Sequence, residues 1–596
     1  MPLRAALPVL AAAVLSFLLA GSTPLRSQEA PGDDTPLEGF GETVSVEVVN
    51  VEVWVTDRQG RPVTGLTRDD FELLEDGEPV EVRYLAELPA DAVAPGAGSG
   101  GTDEARGAPE GAPGVPEDEL LHVVVYVDDW NLRPEDRSRV LDDLRGFLAR
   151  ELRPGERVMV VLHDGSSLSI AQPFTDDLAA LGRSLDRIER QAPQGVQLES
   201  DRNRAIQQIA DAFQGSAELS ERVPIAGDAC TNAWPDMESV FRAHAATVTS
   251  HAQGAVTGLS SVLQNLAGVP GSKVLLYVGN GLPDQAGIDL FEFLRSLCPH
   301  LESDANNLRW AYDLNSIYSD VVDRANAHGV VLYALEADSR TGGASSVPAG
   351  HQGLRMPMHA VRLRENSLDA TLTRLAEETG GRAIVDAPDL EAALGGISQD
   401  LRHYYSLGFV PEHGGDNARH RLEVRLPGRR GLRVRHRAAY IDKPFEQRLV
   451  ERVYGVVGLA DERNPLGVRV ETGEPGPGAR GGLEVPVRLW VPLDALTLVP
   501  DEGGARGSLR VVLGVPGPDG SLSGVRQKMV PVEVSDGEDE GAPEGTAGAK
   551  LVEVGLELPA GRHQIAVAVR DELAGRASFL RHEVNLDAEA LTELQR

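Results

Sequence analysis

Residues 121–131 read Leu-His-Val-Val-Val-Tyr-Val-Asp-Asp-Trp-Asn, and this stretch decides how the chain folds. From His122 to Val127 it is almost continuously apolar, which is typical of a strand covered on both faces. The apolar run stops at Asp128, and a segment with the apolar periodicity of a helix follows it. The stretch therefore predicts a buried parallel strand whose carboxyl end carries polar side chains.

Four further apolar segments recur along the chain, each separated from the next by helical patterns: 157–163, 273–278, 330–335 and 383–385. Strands alternating with helices predict a mostly parallel sheet with right-handed crossovers. We therefore expect an α/β doubly wound, Rossmann-like central domain over residues 119–402, with a helical insert near 191–255. Its ligand site should lie at the carboxyl ends of the strands.

The remaining segments have the alternating pattern of half-buried strands or the composition of a linker. Residues 88–118 are mostly Ala, Gly, Pro, Asp and Glu, which is typical of a flexible linker because such a segment buries little apolar surface. We expect β-rich domains on both sides of the central one: a small N-terminal β domain over 43–87, a β-rich extension over 403–442 and a C-terminal β-sandwich over 443–596.

The length, the charge and the N-terminal segment limit the number of domains, the kind of partner and the location of the protein. The chain has 596 residues, enough for roughly three to five domains. Its formal charge of −34 disfavours nucleic acid as a partner. Arg4 followed by the apolar run 5–20 predicts a signal peptide over residues 1–28 and export to a periplasm or the medium. No later run is long and apolar enough to span a bilayer, so we expect no transmembrane anchor after cleavage.

The chain has two cysteines, Cys230 and Cys298, and both fall in the predicted central domain. In an oxidising compartment an isolated pair can form a disulfide. Two free, buried thiols are the alternative, and the sequence does not decide between them.

Several phrases, in their order along residues 43–441, resemble the exported VWFA-related proteins typical of acidobacteria, whose central domain is von Willebrand factor type A-like. The phrases are Val63-Thr64-Gly65-Leu66, the stretch 70–77, the stretch 172–177, Gly281-Leu282-Pro283, the stretch 376–381 and the stretch 404–409. The resemblance implies a type A-like central domain that binds other proteins. The C-terminal segment is covered only weakly.

Type A domains hold a metal with an Asp-x-Ser-x-Ser loop, a Thr and a further Asp. Of this set only the first Asp is matched, by Asp128, while Trp130 and Leu132 replace the serines and Asn280 takes the later position. The resemblance thus implies a degenerate site that binds Mg²⁺ or Ca²⁺ weakly, formed by Asp128, Asp129, Asn131 and Asn280. The alternative is a hydrogen-bonded turn without a metal.

Trp130 has two interpretations of its own. It is either an aromatic anchor for a protein partner, a residue type favoured at binding hot spots, or a side chain buried under the insert. His244 and His251 lie seven residues apart without the glutamate of a helical zinc motif, which predicts two solvent-exposed histidines.

The function expected from these features is that of an exported, non-enzymatic adhesion or interaction protein, with a protein partner that the sequence does not identify. One alternative is a structural envelope component without a ligand site. Another is an exported hydrolase with catalytic residues brought together from distant segments. The run from His163 to Ser166 does not supply a catalytic relay, because adjacent residues of an extended chain point to opposite faces.

Overall fold

A computed structural model gives the structure of the protein. All the described residues belong to one compact unit, which begins at Val48. The predicted signal peptide lies outside the described residues, and so does the predicted linker apart from Leu88. The described residues are 48–88, 121–153, 156–165, 167–192, 195–212, 227–269, 271–337, 356–385, 387, 389–459, 462–478, 482–501, 504–516, 522–535 and 548–586.

The alternating residues near the start form four short strands: β1 (Val49–Thr56), β2 (Glu72–Glu75), β3 (Glu78–Val80) and β4 (Tyr84–Leu88). Strands β2 and β3 form a hairpin in which Glu75 pairs with Glu78. The two residues of its turn, Asp76 and Gly77, both have positive φ angles, 51° and 92°. Gly adopts such angles freely and Asp more readily than most residues, which is why this pair closes the hairpin.

The apolar segments form a six-stranded central sheet with the order β10-β9-β8-β5-β6-β7. Strand β7 is antiparallel to β6, and the other neighbouring pairs are parallel. Successive side chains alternate between two separate cores, so that Val125 lies in one and Tyr126 in the other. The strands are β5 (Leu121–Asp128), β6 (Arg157–His163), β7 (Leu168–Thr175), β8 (Ser272–Gly279), β9 (Val330–Glu336) and β10 (Ala383–Ile384).

Helices cover both faces of this sheet, which explains why its strands are apolar throughout. The helices are α1 (Pro134–Glu151), α2 (Leu178–Arg190), α3 (Val196–Asp211), α4 (Gly227–Leu266), α5 (Ile288–Leu297), α6 (Glu302–Trp310), α7 (Asn315–Ala327), α8 (Met358–Glu377) and α9 (Leu390–Arg402). Apolar residues of α1, α2 and α9 join one core, and those of α3 to α8 join the other. The predicted insert corresponds to α3 and the first part of α4.

A disulfide joins Cys230, near the start of α4, to Cys298, directly after α5, with the sulfur atoms 2.00 Å apart. Both cysteines are buried in the core beneath these helices. The bridge fastens the first turn of the long helix α4 to the end of α5. Of the two alternatives left open by the sequence, the structure shows the bridged one.

The strands after the central sheet pair with those before it. Val51 of β1 lies opposite Leu407, and Leu73 of β2 lies opposite Val424. The result is two four-stranded antiparallel sheets, β13-β1-β11-β4 and β14-β12-β2-β3, around one shared apolar core. The later strands are β11 (Tyr404–Phe409), β12 (Arg419–Arg425), β13 (Arg433–His436) and β14 (Ala439–Ile441).

The C-terminal part begins with helix α10 (Phe445–Leu459) and continues as strands. These form one antiparallel sheet of β15, β16, β17 and β21 and another of β18, β19, β20, β22 and β23, and the two share one apolar core. The strands are β15 (Arg469–Thr472), β16 (Gly476–Pro477), β17 (Leu483–Pro492), β18 (Val499–Asp501), β19 (Gly504–Pro516), β20 (Leu522–Ser535), β21 (Ala549–Leu558), β22 (Gly561–Asp571) and β23 (Ala577–Leu586).

Helix α10 connects this part to the central sheet through a buried polar cluster. The Nζ atom of Lys443 donates to His328 Nδ1 at 2.7 Å and lies 2.8 Å from Glu451 Oε2. Gly268 makes room for the helix, because a Cβ atom there would lie 2.3 Å from the carbonyl oxygen of Glu451. Burial, with the nearby Lys443 ammonium, lowers the pKa of His328 to about 2.

The predicted fold class, an α/β doubly wound, type A-like central domain flanked by β-rich domains and a C-terminal β-sandwich, is wrong. The protein is mixed α/β. Four of the five sheets in the described residues are wholly antiparallel, and the six-stranded sheet mixes parallel and antiparallel pairs. The segments expected as separate flanking domains share two sheets and one core. Alternating apolar residues indicate a strand, but they do not indicate which distant strand it pairs with.

Reduction of the disulfide is expected to destabilise the protein, because the bridge closes a loop with a sequence separation of 68 residues. For a loop of this length the chain-entropy relation gives a loss of about 4 kcal/mol. Scanning calorimetry of wild type and of Cys230→Ser/Cys298→Ser should show the lower Tm in the variant, and a reductant should lower the Tm of wild type alone. Equal melting temperatures with full thiol labelling of unfolded, unreduced wild type would contradict the bridge.

Acid is expected to destabilise the protein partly through His328. The ring has a lowered pKa in the folded state, so below about pH 6.5 the unfolded chain binds a proton that the folded chain does not. Its stabilising contribution is therefore present above that pH and is lost as the pH falls. Each such group contributes about 1.4 kcal/mol per pH unit.

Urea denaturation between pH 7 and pH 5 measures how steeply the free energy of unfolding falls with falling pH, and this dependence is the slope compared below. In His328→Asn the slope should be shallower by about one proton, whereas His300→Asn, a change at an exposed histidine, should keep the wild-type slope. An unchanged slope in His328→Asn would show that the ring titrates alike in both states.

Candidate functional site

The carboxylate of Asp128 lies at the end of β5, fully buried, and receives hydrogen bonds from three directions. Its Oδ2 atom accepts from the Tyr277 hydroxyl and from Asn131 Nδ2, both at 2.7 Å, and Oδ1 lies 3.1 Å from His163 Nδ1. Burial and the neighbouring carboxylate raise the pKa of Tyr277 well above its ordinary value. The tyrosine therefore keeps its proton and acts as a donor.

The next carboxylate, Asp129, faces a different partner. Its Oδ1 atom lies 2.6 Å from Arg137 Nε, and both side chains are almost completely buried. Arg137 comes from the first turn of α1 and also donates to the carbonyl of Gln191 at 2.7 Å. The pair thus holds the turn after β5 against α1.

Asn131 and Asn280 connect the ends of β5 and β8. The backbone N–H of Asn280 donates to the carbonyl of Asn131 at 2.9 Å. The side-chain oxygen of Asn280 accepts from the N–H of Arg133, and its amide donates to Asp136 Oδ2, both at 3.0 Å. The structure therefore brings three of the predicted residues, Asp128, Asn131 and Asn280, to one rim, as hydrogen-bonding partners within the protein.

Trp130 is half-buried at the same rim. Its indole N–H donates to His251 Nδ1, and the two rings meet edge to face with centroids 4.7 Å apart. On another side it packs against Gly165, where a Cβ atom would lie 2.2 Å from the indole ring. Helix α4, which carries His251, therefore covers part of the indole, and the rest faces the cleft described next.

A cleft of about 80 Å³ opens beside this rim, at the carboxyl ends of β5 and β8. It is lined by the two strand-end turns, by α3 and α4, by the start of α5 and by α8. Much of the lining is apolar: Trp130, Leu198, Val248, Leu282, Ile288 and Leu368. Gly281 lets α8 approach closely, since a Cβ atom there would lie 2.6 Å from Leu368 Cβ.

Ion pairs close one side of the cleft. Arg202 Nε lies 2.6 Å from Asp289 Oδ2, and another of its nitrogens lies 3.0 Å from Glu199 Oε1. Arg364 lies 3.5 Å from the other Glu199 oxygen. Burial would raise the pKa of Asp289, but the guanidinium groups of Arg202 and Arg364 outweigh it and lower that pKa. The cluster therefore stays charged and joins α3, α5 and α8.

His244 and His251, which we expected to be exposed, both line the cleft. His244 is 7% exposed, and no hydrogen bond reaches its Nδ1 atom. Burial lowers the pKa of both rings, so they are neutral at pH 7. The prediction of exposed histidines is wrong because helices α3 and α5 cover this face of α4.

The strand-end residues could be predicted from the sequence, but the residues around the cleft could not. Arg202, Asp289 and Arg364 come from three helices, and no spacing along the chain links them. A weak signal existed for His244 and His251, whose separation of two helical turns places them on one face. The predicted weak Mg²⁺ or Ca²⁺ site stays a prediction. Both oxygens of Asp128, Oδ1 of Asp129 and the side-chain oxygen of Asn280 already have partners within the protein.

No protein-family model matches the chain, and no curated protein matches it. Among solved structures it is similar to a crystal structure of Bacteroides uniformis β-glucuronidase, with 14% identity and a TM-score of 0.13. That alignment covers 20% of this chain and 13% of the other, and it supports no conclusion about fold or activity. The resemblance to VWFA-related proteins therefore stays a prediction.

The Asp128 network predicts a structural role for this carboxylate. Asp128→Asn removes the charge and replaces one accepting oxygen with an NH₂ group, which cannot accept a hydrogen bond from the surrounding donors. The free energy of unfolding should therefore fall by about 1.5–3 kcal/mol. The matched control is Asp142→Asn on α1, where the side chain is 69% exposed and little change is expected. Urea denaturation measures both. Stabilisation of wild type by Mg²⁺ or Ca²⁺ that Asp128→Asn lacks would instead indicate a metal ligand.

Proposed function

We propose that the protein is an exported, non-enzymatic protein-binding protein whose strand-end cleft receives an apolar side chain of its partner. This proposal rests on the difference between the polar and the apolar side chains at the rim. Both oxygens of Asp128 have hydrogen-bonding partners within the protein, while the apolar side chains beside them line an open cleft. Burial of this apolar surface against a partner's side chain is favourable, because it removes the surface from water.

The chemistry of the lining favours one anchoring side chain with a polar tip. Trp130, Leu198 and Leu368 supply apolar surface, and tryptophan is enriched at binding hot spots. The neutral His244 ring lies in the wall, and its buried Nδ1 atom, which has no hydrogen-bonding partner, can bond a partner's polar group only if the wall shifts to expose it. A tyrosine or tryptophan of a partner protein combines these two properties.

Recognition of this kind needs no cation. The carboxylates of Asp128 and Asp129 would have to give up Tyr277, Asn131 and Arg137 in order to coordinate a metal. Each exchange would leave a buried donor without a partner, which costs about 1–3 kcal/mol. We therefore place partner binding in the cleft and assign a structural role to the carboxylates.

The burial of the histidine–carboxylate pair at the rim supports a non-enzymatic function. His163 and Asp128 form a hydrogen bond of the kind found in hydrolases, but they are 5% and 0% exposed. Helix α4 closes over the pair, because a Cβ atom at Gly258 would lie 3.2 Å from the His163 ring. A substrate would not reach this ring without displacing the helix.

The disulfide supports the proposed export. Disulfides persist in oxidising compartments and are rare where thiols are kept reduced. The Cys230–Cys298 bridge is therefore suited to a periplasm or an extracellular medium.

Selection of peptides from a random display library on the purified chain tests the proposal. We expect enrichment of peptides with a Tyr or Trp, whose affinity is then measured by calorimetry as synthetic peptides. Leu198→Trp, which fills the cleft, and Trp130→Ala, which removes apolar surface from its wall, should each weaken binding by about 30-fold, equivalent to a loss of about 2 kcal/mol. A chelator should have no effect.

The matched control is Trp310→Ala, since Trp310 is 67% exposed and is not part of the lining. This variant should bind like wild type, and calorimetric melting should confirm that all variants fold. Selected peptides that bind wild type, Leu198→Trp and Trp130→Ala equally would place the binding surface elsewhere and contradict the proposal.

A further inference from the structure

A second group of polar side chains lies in the antiparallel sheet β14-β12-β2-β3, formed by residues that the cleft does not use. Glu75 is the last residue of β2, and His420 is the second residue of the neighbouring strand β12. Both are buried, whereas the side chain of His413, in the turn before β12, is 34% exposed. Each of the three can offer one ligand atom, and these atoms all lie within 4.8 Å of one another.

The separations within this group suit a small divalent metal ion. Glu75 Oε2 lies 3.3 Å from His413 Nε2, and Asp416 Oδ1 lies 3.2 Å from His420 Nε2. Two ligands of a tetrahedral Zn²⁺ ion, each bonded at about 2.0–2.2 Å, are about 3.3 Å apart. The two imidazoles stack with centroids 4.1 Å apart and planes at 11°, so the partly exposed His413 ring would have to turn before one ion could lie in the plane of both rings.

The atoms that would not bind the ion have hydrogen-bonding partners that orient the ligands. His420 Nδ1 lies 2.8 Å from Asp76 Oδ2, and the other oxygen of Asp76 accepts from the N–H of Arg421 at 2.8 Å. The second oxygen of Glu75 accepts from the Tyr440 hydroxyl. A carboxylate on the far nitrogen of a ligating histidine is the usual outer contact of protein zinc sites.

We propose that Glu75, His413 and His420 form a structural Zn²⁺ site, which Asp416, now 3.2 Å from His420 Nε2, completes as the fourth ligand when its side chain turns towards the ion. Two carboxylates and two neutral imidazoles balance the charge of the ion and supply the oxygen and nitrogen donors that zinc accepts. Ca²⁺ and Mg²⁺, which prefer oxygen ligands alone, fit this donor set poorly.

The site would stabilise the pairing of strands that are far apart in the sequence. His420 and its outer partner Asp76 are separated by 344 residues, and the whole central sheet lies between them in the chain. A bound ion would hold the β2–β3 hairpin to β12 and so close the core that the first and later strands share. Such an ion stabilises the folded state because the unfolded chain does not assemble the ligands.

Calorimetric titration of the tag-free, chelator-stripped full chain with Zn²⁺, in competition with a chromophoric chelator, tests this site. Wild type should bind one ion per chain, and the Co²⁺ form should show a tetrahedral ligand-field spectrum. His413→Ala changes a partly exposed ligand and should weaken binding at least tenfold, about the smallest loss expected even for an outer partner. His300→Ala, at an exposed histidine outside the group, should bind like wild type.

Two further measurements separate binding at this site from loss of structure. Tyr440→Phe keeps every ligand but removes the hydrogen bond to Glu75, and should weaken Zn²⁺ binding by about 10–100-fold. Zn²⁺ should raise the Tm of wild type and of His300→Ala, but not that of His413→Ala. Equal Zn²⁺ affinity in wild type and folded His413→Ala, or no binding by wild type, would overturn the proposal and leave the group as ion pairs alone.

Discussion

The arrangement of the strand ends depends on the buried negative charge of Asp128. A carboxylate removed from water is costly unless donors surround it, and Tyr277 from β8, His163 from β6 and Asn131 from the following turn fill this role. These contacts fix three neighbouring strands of the central sheet at one end. They also fix the turn that carries Trp130 and contacts Asn280. The hydrogen bonds of one carboxylate therefore position the rim of the cleft.

The walls of the cleft are held in a comparable way. Arg202 and Asp289 join α3 to α5, and the disulfide joins the start of α4 to the end of α5. A site whose walls are fixed before binding loses less conformational entropy when a partner enters, which favours recognition by a preformed cleft. The buried Lys443–Glu451 pair beside His328 extends the same connected structure to the C-terminal sheets.

Much of the local structure could be predicted from the sequence, but its long-range pairing could not. The apolar run ending at Asp128 matched a strand almost to the residue, and Asn280 fell at the next strand end, because buried parallel strands have few other patterns. Alternation in β1 and β11 predicted strands without indicating that they pair, since a period of two is the same in every half-buried strand. Asp129 pairs with Arg137 because the backbone of the turn after β5 directs its side chain there, and the apolar pattern of the sequence does not predict that conformation.

An X-ray structure of crystals soaked in Mn²⁺ tests most directly whether the strand-end carboxylates are structural. Manganese scatters anomalously and binds where Mg²⁺ or Ca²⁺ would, on carboxylate oxygens. We expect no anomalous peak at Asp128, with the Tyr277 and Asn131 hydrogen bonds in place. A peak coordinated by Asp128, with Asn131 turned away from it, would contradict the metal-independent cleft.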